Sequence, residues 1–190
     1  ENLLLPLLCA MPPEVGPVNV TMGYSLRASL AYTFVERLVE LQARRRTKGA
    51  DCTFYHADVT GLLAHPYVAG CDAELTRRLQ EEIMRERRIS VEASWLGRND
   101  LLRLVFSPAA GWRALSAWLS EVVAAVVRIP CPDDDARRRT EFLAVIAGEI
   151  ARLGNSLDEC GIEPAPEVYA SLLRRHLQTL RIPYEGEPLE

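Results

Sequence analysis

Residues 112–127 read WRALSAWLSEVVAAVV, and their spacing decides what kind of fold the chain adopts. Leu115, Leu119, Val122, Val123 and Val126 recur at intervals of three and four, which predicts a helix over Trp112–Val127 with one strongly apolar side. Pro130 and Pro132 end it. Its apolar heart, Val122–Val127, is bounded by Glu121 and Arg128 and falls well short of a membrane span, so no membrane partner is expected.

The same period extends outward in both directions. Asp133–Leu153 and Pro166–Leu180 read as helices, the second with Val168, Leu172, Leu173 and Leu177 at helical positions. On the other side come Asn99–Phe106, stopped at Pro108, the highly charged Ala73–Arg88, and Ala57–Ala64, closed by His65-Pro66. From Ser25 a longer helix sets Leu30, Phe34, Val35, Leu38 and Leu41 on one face, and Arg44, Arg45, Arg46 and Lys48 load its last turn before Gly49, as the helix dipole favours. Leu3–Ala10 also looks helical and ends before Pro12-Pro13. Three stretches are β-like: Val18–Met22, where apolar and polar residues alternate, Cys52–Tyr55, and Ile89–Ala93. They are too few to make a sheet of their own. The expected fold is mainly α, a bundle-like arrangement of helices with two or three short β fragments.

Composition narrows the function. A chain of 190 residues, 48% hydrophobic and 25% charged, buries one core or a core with a small appendage without staples. Five cysteines (Cys9, Cys52, Cys71, Cys131, Cys160) at wide spacing, with no C-x-x-C pair, predict a reduced cytoplasmic protein. The net charge of −4 argues against coating nucleic acid by bulk electrostatics but leaves room for local basic stripes. The start at Glu1, with no basic n-region in ENLLLPLL, and the uncapped end IPYEGEPLE lead to the expectation of a segment of a longer protein.

Several chemistries fail on single residues. Lys48 is the one lysine, and Thr47 and Gly49 flank it, so neither the Gly-Lys-Ser/Thr of a P-loop nor the acid two before lysine of a PD-(D/E)XK nuclease is present; that second position is Arg46. Arg27 stands where the second glycine of a G-x-S-x-G elbow around Ser25 would have to be. Asp133, Asp134 and Asp135 each have an arginine four residues on, Arg137, Arg138 and Arg139, and read as a helix cap with ion pairs rather than metal ligands. Cys52, His56, His65 and Cys71 have a spacing that fits no common zinc site. Trp95, Trp112 and Trp118 could stack bases, but Trp112 and Trp118 lie on a helix whose apolar side needs a core, and core packing is the default reading; Arg44–Lys48 and Arg85, Arg87 and Arg88 read as solvated helix ends ahead of phosphate contacts.

One resemblance covers both ends of the chain. The order NVTMGYSL (19–26), a long helix to ELQARR (40–45), FYHADVTGLLAHPYV (54–68) and the closing RIPYEGEPLE (181–190) resembles AddB-like proteins of the Bacteroidetes type, in which an inactivated superfamily I helicase region precedes a PD-(D/E)XK nuclease. The resemblance implies that residues 1–70 belong to a helicase-like (RecA-like) second motor domain and 71–190 to a helical insertion like the mobile subdomain of UvrD/RecB-type helicases. It implies a non-catalytic, structural and DNA-guiding role in double-strand-break repair, without a cofactor, beside an AddA-like helicase–nuclease subunit. Backbone contacts to DNA need only fixed cations within reach of phosphate, and Arg27, Arg44, Arg45 and Arg46 are the candidates. Two other readings compete: a helical protein-interaction module, whose apolar Val122–Val127 ridge a partner would cover, and an enzyme assembled from scattered residues such as His56, Asp58 and Glu82.

Overall fold

The computed structural model describes residues 10, 23–48, 51–129 and 135–182. Ser29 begins the helix about which much of the rest is arranged, its hydroxyl accepting from the Tyr32 amide at 3.1 Å, so that α1 runs Leu30–Ala43. Before it lie β1 (Tyr24–Ser25) and a 3-10 turn (Leu26–Ala28); after it come β2 (Arg46–Lys48), β3 (Asp51–Tyr55), α2 (His56–Leu63), α3 (Pro66–Ala69) and α4 (Ala73–Arg85). The order continues with β4 (Ser90–Glu92), α5 (Ala93–Leu96), α6 (Asp100–Val105), α7 (Trp112–Val127), α8 (Asp135–Glu159), α9 (Pro166–Thr179) and β5 (Arg181–Ile182). The fold is mainly α.

Most of α1 is buried: Ala31, Phe34, Val35, Leu38, Val39 and Leu41 cover more of its circumference than one amphipathic stripe, and the helix packs against α2, α8 and α9. Leu30, expected on that face, is 53% exposed because it stands on the first turn. Polar anchors hold the ends in place. Buried Gln42 donates to the Ser107 carbonyl at 2.8 Å and accepts from the Ala109 amide at 3.1 Å, tying α1 to the loop before α7. Between α8 and α9, the buried carboxylate of Glu149 meets His176 Nε2 at 2.6 Å and Arg152 at 2.8 Å.

The helix expected at Trp112–Val127 forms over those residues. It packs antiparallel to α8: Arg113 at the start of α7 bonds Asp158 near the end of α8 at 2.7 Å, while Arg139 near the start of α8 donates to the Ile129 carbonyl just beyond α7. Val122, Val123 and Val126 of the ridge that the interaction-module reading had left for a partner are buried, and α7 packs against α8, α6 and α9. On α9 the faces differ from expectation. Tyr169, Ala170, Leu173 and Leu177 are buried, whereas Val168 and Leu172 are exposed, because α9 packs on α1, α7 and α8 through the neighbouring stripe.

The short strands also depart from expectation. Arg46–Lys48 leave the helix after Ala43 and pair antiparallel with β3, whose other edge pairs antiparallel with β4, so the three strands do form a sheet of their own. The pull of the helix dipole on basic residues is worth a few tenths of a kcal/mol, roughly 0.3–1. It loses to the hydrogen bonds of a hairpin that also seats Cys52 and Phe54 in the core. β1 and β5 make a second, two-stranded antiparallel pair. Every strand pair among the described residues is antiparallel. One buried cluster draws on Phe34, Leu38 and Val59 from before residue 70 and on Leu79, Leu119, Leu143 and Tyr169 from after it. The expected helix over residues 3–9, the strand over 18–22, Cys9, Cys131 and the cap at Asp133 and Asp134 lie outside the described residues.

Within this core His65 is buried between aromatic rings, 5.1 Å from both Phe34 and Tyr67. Its Nδ1 accepts from the Tyr67 amide at 3.3 Å and caps α3, a role that only the neutral ring fills. Burial, and then the charge of Arg37, lower its pKa from 6.5 to about 4. The unfolded chain therefore takes up the proton first as pH falls, and the stability due to neutral His65 is complete above pH 6.5 and lost toward pH 4. Melting temperature is expected to rise across that window, and His65→Asn, which keeps a capping acceptor, to flatten the rise. An identical slope in both proteins would assign it to other groups.

Candidate nucleic-acid interface

α4 buries Thr76, Leu79 and Ile83 on one side and turns its charged residues outward. Glu86 caps it, Arg87 takes a left-handed conformation with φ 49°, and Arg88 re-enters as the chain turns into β4. There Val91 is driven into the core opposite Phe54, which fixes the strand's register and exposes Ser90 and Glu92. The one-turn helix α5 follows at once and lays the half-buried Trp95 back along the strand.

The result is a cluster of guanidinium groups on an indole. Arg88 Cζ lies 4.5 Å from the Trp95 ring centroid and Arg98 Cζ 5.4 Å from it. Both arginines are oriented by further bonds. Arg98 Nε donates to the Trp95 carbonyl at 2.9 Å, and Arg88 Nε donates to Glu86 at 2.6 Å, a bond that holds the Glu86 carboxyl below the usual carboxylate range. Arg85 stands 3.7 Å from the same carboxylate. Arg85 and Arg88 thus flank Glu86, Arg98 lies over Trp95, and exposed Arg87 and Glu92 stand on the adjoining turn and strand. A fixed planar π surface bearing cations is what binds phosphates and unpaired bases together.

The four arginines singled out from the sequence do not converge. Arg27 is exposed on the 3-10 turn before α1, and Arg44 caps the other end of that helix, whose 14 residues span about 21 Å. Arg44 is held by Asp58 at 2.9 Å, and Arg45 donates to the Gln42 carbonyl at 3.0 Å. Arg46 alone shares a sheet with the tip: it is opposite Thr53, which is opposite Glu92, about 10 Å across two strand spacings. Arg88 and Trp95 were visible as separate candidates, but their meeting was not, and Arg98 carries no signal in sequence at all.

The other candidates are occupied by structural contacts. Asp58 pairs with Arg44, and a ring nitrogen of His56 lies 3.3 Å from the Ile89 carbonyl. Cys52 is buried beneath the sheet, where burial pushes its thiol pKa up, while Cys71 is exposed. Among the described residues no group of three His, Cys, Asp or Glu side chains is placed to hold a metal ion, and no helix is long and apolar enough to cross a membrane. Trp112 and Trp118 are buried, their indole N–H groups donating to Glu163 and to the Leu104 carbonyl, each at 2.8 Å.

The chain matches no protein-family model, no curated protein and no solved structure.

Proposed function

We propose that this chain is a non-catalytic, DNA-guiding segment, as its resemblance to AddB-like helicase–nuclease proteins implies, and that it contacts DNA through the tip formed by Arg88, Trp95 and Arg98. The observation that carries the reading is the half-buried Trp95 indole within 4.5 Å and 5.4 Å of the guanidinium carbons of half-buried Arg88 and exposed Arg98. Support also comes from the missing P-loop and nuclease lysines, since catalysis in the parent protein would then reside in other domains or in an AddA-like partner subunit. The interaction-module alternative draws on the net charge of −4 and on the Val122–Val127 ridge, of which Val122, Val123 and Val126 are buried.

Fluorescence anisotropy with single-stranded, forked and duplex DNA at low and moderate salt tests the proposal. The wild-type chain is expected to bind, with affinity falling as salt rises. Replacing Arg88 and Arg98 together by alanine should weaken binding by about tenfold for every sequence and reduce the salt slope by roughly 1–2. An unchanged melting temperature in the double variant would show that the loss is not unfolding. Absence of wild-type binding to all three forms of DNA would overturn the proposal.

A further inference from the structure

The turn that delivers Arg88 contains a residue of the wrong type for its backbone. The Arg88 amide donates to the Ile83 carbonyl at 3.1 Å and the Arg87 amide to the Met84 carbonyl at 3.2 Å. These are the paired bonds of a Schellman ending, in which the residue after the cap is left-handed and is usually glycine. The same molecule builds the motif a second time at the end of α8. There the Ile162 amide donates to the Leu157 carbonyl at 2.9 Å and the Gly161 amide to the Asp158 carbonyl at 3.1 Å, and the left-handed residue is Gly161, with φ 63°. At the end of α4 the equivalent residue is Arg87, with φ 49°, the single non-glycine residue with positive φ among the described residues.

A branched backbone carbon in this conformation is unfavourable, and arginine lacks the short polar side chain by which Asn or Asp offsets it. The next residue, which in this motif usually makes an apolar contact, is Arg88, whose guanidinium lies over Trp95. Arg87 itself is exposed, and no carboxylate among the described residues forms an ion pair with it. Neither local stability nor a salt bridge accounts for an arginine here.

We infer that Arg87 supplies a third cation of the Arg88–Trp95–Arg98 interface, a contact to a backbone phosphate of the bound nucleic acid; this rests on the DNA reading above. Arg87 and Arg88 are adjacent in this turn, and Arg87 is exposed.

The test separates binding from stability. Arg87→Gly should leave the melting temperature unchanged or higher, since glycine suits the conformation, yet weaken DNA binding about threefold to tenfold and lower the salt slope by roughly 1. Arg87→Asn, which tolerates the same backbone, should lose binding alike, and Arg87→Lys should keep most of it. Wild-type binding that Arg87→Gly and Arg87→Asn leave intact overturns the inference while the Arg88–Trp95–Arg98 interface stands. No wild-type binding at all overturns both.

Discussion

Aspartate in place of Val122 is expected to unfold the protein. Val122 is fully buried on α7 beside Leu119, Val123 and Val126, so a carboxylate placed there is taken out of water among apolar side chains. Leaving such a charge unpaired costs several kcal/mol, roughly 3–5 even when the group relaxes, against a total stability of about 5–15 kcal/mol for an ordinary domain. Circular dichroism and size-exclusion chromatography would show loss of helix and aggregation. A ridge exposed for a partner predicts the opposite, a folded and more soluble variant. A Val122→Asp protein that melts like wild type would therefore refute the α7–α8 packing.

The second large effect is expected at Phe34. Its ring is fully buried on α1, 5.1 Å from His65 and 5.5 Å from Tyr67, so it connects the central helix to α3. Truncation to alanine removes the ring's transfer free energy and leaves a cavity, for a cost of about 3–5 kcal/mol in denaturant unfolding. Phe34→Leu, which retains more of the volume, should cost markedly less. The two variants also bear on the pH response. Opening the wall of the His65 site admits water, so Phe34→Ala should have a shallower stability slope between about pH 4 and 6.5 than wild type. A slope unchanged by the cavity would mean that Phe34 does not contribute to the burial of His65.

How much of this was readable beforehand depended on the range of the interactions involved. α7 was legible because the apolar residues repeat with the helical period and the prolines after it forbid continuation. α4, α2, β3 and β4 were legible to within a few residues for similar local reasons. α8 runs further than expected, to Glu159, because Gly154 and Asn155 are tolerated inside a helix anchored on both sides by packing. β2 was misread as a helix end, since its partner strand supplies the hydrogen bonds that make it a strand. The Val168–Leu172 face was misread for the same reason, as periodicity finds an apolar stripe but not the neighbour that covers it.

The candidate site shows the limit most clearly. Arg44, Arg45 and Arg46 stand together in the sequence, yet an ion pair, a helix carbonyl and a strand take them in three directions. Arg88, Trp95 and Arg98 are spread over eleven residues, and a left-handed turn, a strand and a one-turn helix bring them into contact. The sequence by itself determined the mainly α class, the principal helices and the lack of a P-loop or nuclease lysine, because periodicity, capping and residue identity are local properties. Only the tertiary structure decided which apolar faces are covered, which fragments pair as strands and which cations share a surface, because each of those depends on a partner distant in the chain.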